Sequence, residues 1–111
     1  EQVNVPCAMV HGTTASAWAT IRCDGLRPMG RRHIHFASGA GAKSGYRRSS
    51  EVLIDMDTPK ILADGLVVHR SLNGVLLTEG INGLMCPCYF RTVTDSNGCH
   101  LREWQCVHHS K

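Results

Sequence analysis

Two histidines one residue apart, in Arg31-Arg32-His33-Ile34-His35-Phe36, combine residue types and spacing that suggest chemistry. Along an extended strand, alternation puts His33 and His35 on one face and Ile34 and Phe36 on the other. Imidazoles do not enter an apolar core without partners, so that face meets solvent, a ligand or a metal. A His-x-His metal site lacks an evident third ligand here. His11-Gly12-Thr13 is a second candidate. Gly12 lets a ligand approach the backbone, while His11 and Thr13 offer side-chain hydrogen bonds. The same tripeptide also reads as a strand-end histidine beside a helix-capping threonine. In Ser44-Gly45-Tyr46-Arg47-Arg48, paired guanidiniums follow a flexible loop and suit phosphate by their fork geometry; the alternative is a solvated loop. No Gly-x-Ser-x-Gly elbow or Walker loop is present.

Charge points the same way. Twelve Lys and Arg stand against nine Asp and Glu, a net of +3 that is too small to argue for nucleic acid alone. Residues 22–48 hold seven of the positive charges against Asp24, a net of +6 that leaves −3 elsewhere. An anionic ligand is expected to meet that segment.

Six cysteines in 111 residues suggest an oxidised, secreted or extracellular protein, with zinc binding or free thiols as the alternatives. Cys86-x-Cys88 has one residue between its cysteines, where zinc sites generally have about two to four. A hairpin turning near Asn97 would set Cys88 opposite Cys106, which makes Cys88–Cys106 the expected bridge.

The elements that must position these residues follow from pattern. The chain length fits one domain spanning residues 1–111, and no apolar run approaches the roughly 20 residues of a membrane-spanning helix. Glu1–Pro6 lacks the order of a signal peptide. Val3–His11 reads as a first strand. Thr13 or Thr14 caps a helix over Ala15–Cys23, in which Ala15, Trp18 and Ile21 share a face and Asp24-Gly25 is the stop. Strands are expected over His33–Ala37, Glu51–Asp57, Leu66–Arg70 and Val75–Glu79, with one helical turn from Thr58-Pro59 towards Gly65. Tyr89–Thr94, the turn Asp95-Ser96-Asn97-Gly98 and Cys99–Val107 complete a final hairpin. The expected class is α+β with one main helix.

Taken in order, His11-Gly12-Thr13, Gly25-Leu26, Arg31-x-His33-Ile34-His35-Phe36-Ala37, Ser44-Gly45-x-Arg47, Ser71-x-Asn73-Gly74-Val75-x-Leu77-Thr78-Glu79-Gly80 and Pro87-x-Tyr89-Phe90 closely resemble the catalytic lobe of the KptA-type RNA 2′-phosphotransferases. The resemblance covers Val10–Phe90. It implies an ADP-ribosyltransferase-like split β-core whose cleft holds NAD as co-substrate. Enzymes of that family transfer ADP-ribose from NAD to an internal RNA 2′-phosphate and release nicotinamide. The ribose hydroxyl then displaces the RNA, leaving a 2′-hydroxyl and ADP-ribose cyclic phosphate.

By the same resemblance, His11, Gly12 and Thr13 hold nicotinamide and its ribose, and nicotinamide stacks on His35. Val75 falls where many protein ADP-ribosyltransferases carry a catalytic glutamate. A phosphate nucleophile is already anionic and needs no such base. Arg47 looks like the lobe's catalytic arginine, steadying phosphate charge as the transition state forms. Arg31 and His33 fall towards the pyrophosphate or adenosine end. The family's winged-helix N-terminal lobe supplies further phosphate-binding groups, and this sequence begins just before His11-Gly12-Thr13. The first expectation is therefore a monomeric, free-standing ADP-ribosyltransferase acting on a phosphate-bearing acceptor such as nucleic acid, with no membrane association. The alternatives are the full RNA 2′-phosphotransferase reaction, within an intracellular protein from which this is a lobe, and a non-catalytic NAD or ADP-ribose reader.

Overall fold

The computed structural model describes residues 1–28, 32–38 and 50–104, and its first strand is β1 (Val10–Thr13). The expected strand from Val3 to His11 is divided. Gln2 bridges to His69 and the Val3 N–H donates to the Val68 carbonyl at 2.8 Å, so the segment begins on one sheet. Pro6 has no N–H for a ladder, and the chain crosses there to the other sheet. Thr58 holds the crossing, its Oγ1 donating to the Cys7 carbonyl at 2.6 Å.

Helix α1 (Ala15–Asp24) starts where Thr14 Oγ1 accepts the Ala17 N–H at 3.0 Å. Trp18 is buried and Ile21 packs on the core, while Ala15 is exposed. Gly25 ends the helix at φ 90°, where a Cβ would run into the Met85 carbonyl. The remaining elements are β2 (Ile34–Phe36), β3 (Val52–Met56), α2 (Thr58–Ala63), β4 (Val68–Arg70), β5 (Leu76–Thr78), a 3-10 turn at Pro87–Tyr89, and β6 (Phe90–Asp95).

These strands make two antiparallel sheets, β1-β3-β6 and β2-β5-β4, in an α+β architecture. Strict alternation buries Val52, Ile54 and Met56 of β3, Ile34 and Phe36 of β2, and Leu76 and Thr78 of β5. Trp18 packs against Phe90 with ring centroids 6.0 Å apart and against Trp104 at 6.4 Å, so the segment after β6 also covers α1. Among the described residues no helix is long and apolar enough to cross a membrane.

The final turn forms in the expected register. Asp95 Oδ1 accepts the N–H groups of Asn97 and Cys99, both at 2.9 Å, and Thr94 bridges to His100. Extending that register would oppose Cys88 to position 106, yet the ladder stops short of it. Pro87 opens the 3-10 turn, β6 begins only at Phe90, and Cys88 is a thiol. Cys86 is the disulfide-bonded residue of this motif, and Cys106 lies outside the described residues. The expected Cys88–Cys106 bridge is therefore corrected at its Cys88 end.

Candidate active site

Among the described residues, the strands β1 and β2 of the two sheets join through one backbone pair. Val10 and Ala37 exchange both hydrogen bonds, Val10 N–H to the Ala37 carbonyl at 2.9 Å and Ala37 N–H to the Val10 carbonyl at 2.7 Å. An antiparallel ladder continued from there would pair Gly12 with His35 next. The strands part instead. The His11 side chain spans the gap, with Nδ1 donating to the His35 carbonyl at 2.9 Å. A carbonyl only accepts, so Nδ1 carries the hydrogen. Burial holds the His11 pKa below the ordinary histidine value, so the ring is neutral near pH 7 and Nε2 is an acceptor. The ring also meets Phe36 edge-on, with centroids 5.7 Å apart.

Backbone alternation decides what else faces this gap. The carbonyls of Met9 and Thr13 accept from Met56 and Glu51 on the β3 side, at 2.9 Å each. Val10 and Gly12 therefore point the other way, and the Gly12 N–H and carbonyl face the split with no side chain to screen them.

The second sheet supplies the opposite wall. His35 pairs with Leu77, which also pairs with His69, so one half-exposed face carries all three. Val75 precedes β5 on the same face as Leu77, diagonal to His35, and Ser71 fixes it by accepting its N–H at 3.2 Å and donating N–H to its carbonyl at 2.9 Å. His33 lies one strand step along that face, with Nε2 3.8 Å from Glu79 Oε2. An open pocket of about 400 Å³ lies farther along, lined by His33, Asp64, Val67, His69, Glu79 and Ile81 among others.

Of the residues singled out from sequence, the fold brings His11, Gly12 and His35 to the split, with Thr13 at the end of β1, Val75 one strand away on the face of His35, and His33 farther along that face. Arg31 and Arg47 lie outside the described residues. Among the described residues no three His, Cys, Asp or Glu side chains converge as a metal site. Sequence reasoning missed His69 and Glu79, because only strand pairing sets them on the face of His35 and His33. It also missed Glu51, whose Oε1 accepts the Ala15 N–H at 2.8 Å across 36 residues of chain.

The family model described as RNA 2′-phosphotransferase, Tpt1 / KptA family, matches residues 1–80. The chain belongs to the Tpt1/KptA family. It is 45% identical over 94 residues to the putative tRNA 2′-phosphotransferase of Schizosaccharomyces pombe, a match that covers 81% of this chain and 26% of that protein. With the human tRNA 2′-phosphotransferase 1 it shares 42% identity over 92 residues, covering 78% of this chain and 36% of the relative. The probable RNA 2′-phosphotransferase of Streptomyces coelicolor is 37% identical over 78 residues, covering 68% and 43%. The chain thus spans between about a quarter and under half of these relatives. The Tpt1/KptA match contains every candidate site residue from His11 to Glu79, whereas Cys86, β6 and Trp104 fall beyond it.

Proposed function

We propose that this chain is the NAD-binding catalytic lobe of an RNA 2′-phosphotransferase, with an ADP-ribosyltransferase-like fold. The observation that carries the reading is the split itself. Beyond Val10–Ala37 the two strands part, the His11 imidazole takes the bond that Gly12 would have made, and the Gly12 amide faces the gap. One backbone N–H and one carbonyl are the complement of a primary carboxamide, the group that nicotinamide presents. His35 offers a ring beside it, and neutral His11 offers Nε2 to a ribose hydroxyl.

Family membership favours RNA 2′-phosphate as the acceptor, in place of the free-standing ADP-ribosyl transfer expected first. The chemistry suits the residues. With Val75 rather than a carboxylate on the β5 side, no base is provided there for the acceptor, and a phosphate dianion needs none. NAD supplies the electrophilic anomeric carbon: its bond to the nicotinamide nitrogen breaks with the electron pair leaving on nicotinamide, and a phosphate oxygen forms the new bond. The concentration of positive charge in residues 22–48 holds the phosphates, Arg31 and His33 towards the pyrophosphate and Arg47 at the transferred group.

The test uses the full-length protein, NAD and an RNA oligonucleotide bearing one internal 2′-phosphate. The expected products are nicotinamide, ADP-ribose cyclic phosphate and RNA with a 2′-hydroxyl. Arg47→Ala is expected to slow turnover by roughly 100-fold with NAD binding nearly unchanged, and lysine to restore only part of the rate. Nicotinamide release that is indifferent to the 2′-phosphate would return the reading to ADP-ribosyl transfer onto another acceptor. No release at all would remove both.

A further inference from the structure

Beyond the seam, the sheet face that carries His35 runs on into a pocket. Strand pairing lays that face out in rows: His35, Leu77 and His69 nearer the seam, then His33, Glu79 and Val67, since Ile34 and Val68 both pair with Thr78. The pocket of about 400 Å³ opens over the second row, with Asp64 and Ile81 among its lining. Small-molecule sites usually enclose about 300–1,000 Å³.

Its walls are fixed by the fold before any ligand arrives. Thr78 Oγ1 donates to the Val67 carbonyl at 2.8 Å and accepts the Gly80 N–H at 3.2 Å, which ties β4 to the segment leaving β5. Gly80 has φ 71°, and a Cβ there would run into the Leu84 carbonyl. Ile81 and Leu84 then exchange both backbone hydrogen bonds, at 2.8 and 3.1 Å. Asp64 is held as well, its Oδ2 accepting from the Tyr89 hydroxyl at 2.7 Å.

The lining has a chemistry distinct from the basic segment. Among the described residues four large apolar side chains are exposed, and two of them, Val67 and Ile81, line this pocket. They offer apolar surface to a flat ring, and the imidazoles of His33 and His69 add faces on which a ring stacks. The Glu79 side chain is 66% exposed, so its carboxylate can accept hydrogen bonds from N–H groups of a ligand. With Asp64 it repels phosphate. The complement of this lining is a neutral ring with N–H donors, which is a nucleobase.

Position selects the source of that base. Glu79 follows Val75 by four residues on one face, about 13 Å at about 3.3 Å per residue. In the functional reading above the acceptor phosphate arrives on the β5 side, beside Val75. A neighbouring, unstacked nucleotide of the acceptor can lay its base in the pocket and leave its phosphate in solvent. NAD would have to draw its pyrophosphate past Glu79 to seat adenine there.

We propose that this pocket is a subsite for a nucleobase of the RNA acceptor next to the 2′-phosphate, with Glu79 accepting from the base and His69 stacking on it. The inference rests on the RNA-acceptor reading above. Adenine, cytosine and guanine each present an amino group to the carboxylate, whereas uracil sets its one N–H between two carbonyls that a carboxylate repels.

The experiment titrates the full-length protein, without NAD, with a labelled RNA oligonucleotide bearing one internal 2′-phosphate, and separately with NAD. Glu79→Ala and His69→Ala are each expected to weaken RNA binding by about fivefold to tenfold while NAD affinity stays within about twofold and the melting temperature is unchanged. Abasic residues on both sides of the phosphorylated nucleotide should weaken binding to the unsubstituted protein by at least as much, and the two substitutions should then cost no more than about twofold further. Weakened NAD binding with RNA binding intact would put adenine in the pocket and overturn the proposal. Unchanged RNA affinity in both variants, or losses undiminished with the abasic RNA, would also overturn it, as would losses for both ligands with a lowered melting temperature. Unsubstituted protein that binds the 2′-phosphorylated RNA no better than its unphosphorylated twin would instead overturn the acceptor reading beneath it.

Discussion

In the β1-β3-β6 sheet, four residue pairs join β1 to β3 and five join β3 to β6, whereas the β2-β5-β4 sheet has three pairs on each side of β5. Both sheets bury one face. Their other faces differ: the short sheet presents His33, His35, Leu77, His69 and Glu79 at its half-exposed face. The longer ladder has the more extensive pairing to anchor the chain, while the shorter sheet spends a face on polar groups. The candidate site lies at the seam between the two, where backbone hydrogen bonding stops.

The largest effect expected from this comparison is on stability. Ile54 is fully buried at the centre of β3, paired with His11 on one side and Val93 on the other. Ile54→Ala is expected to cost about 3 kcal/mol in denaturant unfolding. Leu77→Ala, on the half-buried face of the short sheet, should cost at most about 1 kcal/mol. Equal losses would break the division between an anchoring and a presenting sheet.

A smaller effect concerns the seam. Burial lowers the His11 pKa in the folded protein, so below the ordinary value of 6.5 the unfolded chain takes up a proton that the folded one refuses. Stability is then lost as pH falls from about 6.5 through the lowered value, at no more than about 1.4 kcal/mol per pH unit for one proton. Above that window His11 contributes no slope. Unfolding midpoints measured from pH 7.5 to 5 should show a flatter decline in His11→Gln than in the unsubstituted protein. Identical slopes would mean that His11 is not held neutral across the seam.

The smallest expected effect is one of labelling. Without reduction, iodoacetamide followed by peptide mapping should modify Cys88 and leave Cys86 unmodified. Cys88 should react more slowly than exposed Cys99, since burial raises its pKa. A blocked Cys88 with a reactive Cys86 would restore the ladder to Cys88 and extend β6 backwards.

Much of this arrangement is legible in the residues. His33 and His35 alternate with Ile34 and Phe36, and β2 carries that alternation as buried Ile34 and Phe36 with half-exposed His35. Thr14 caps α1, Gly25 stops it, and the turn at 95–98 takes the register that its Asp and Gly residues suggest. These are short-range effects, decided by side-chain period, capping groups and backbone freedom within a few residues. The long first strand misled because apolar β-branched composition does not reveal which sheet a segment joins, and Pro6 is where Val3 and Val10 part company. The pairing of Cys88 misled for a similar reason, since Pro87 converts a ladder position into a 3-10 turn.

The amino-acid sequence by itself determined the family and most of the strand and helix types, because each rests on local pattern. Only the tertiary structure decided that β1 and β2 separate after one hydrogen-bonded pair, that His11 bonds the His35 carbonyl and that Glu51 reaches Ala15. Those contacts join residues 24 and 36 positions apart, and their existence depends on where two sheets stop pairing. Hydrogen bonds left unmade by one sheet must be found elsewhere, and only the packed arrangement fixes which side chain provides them.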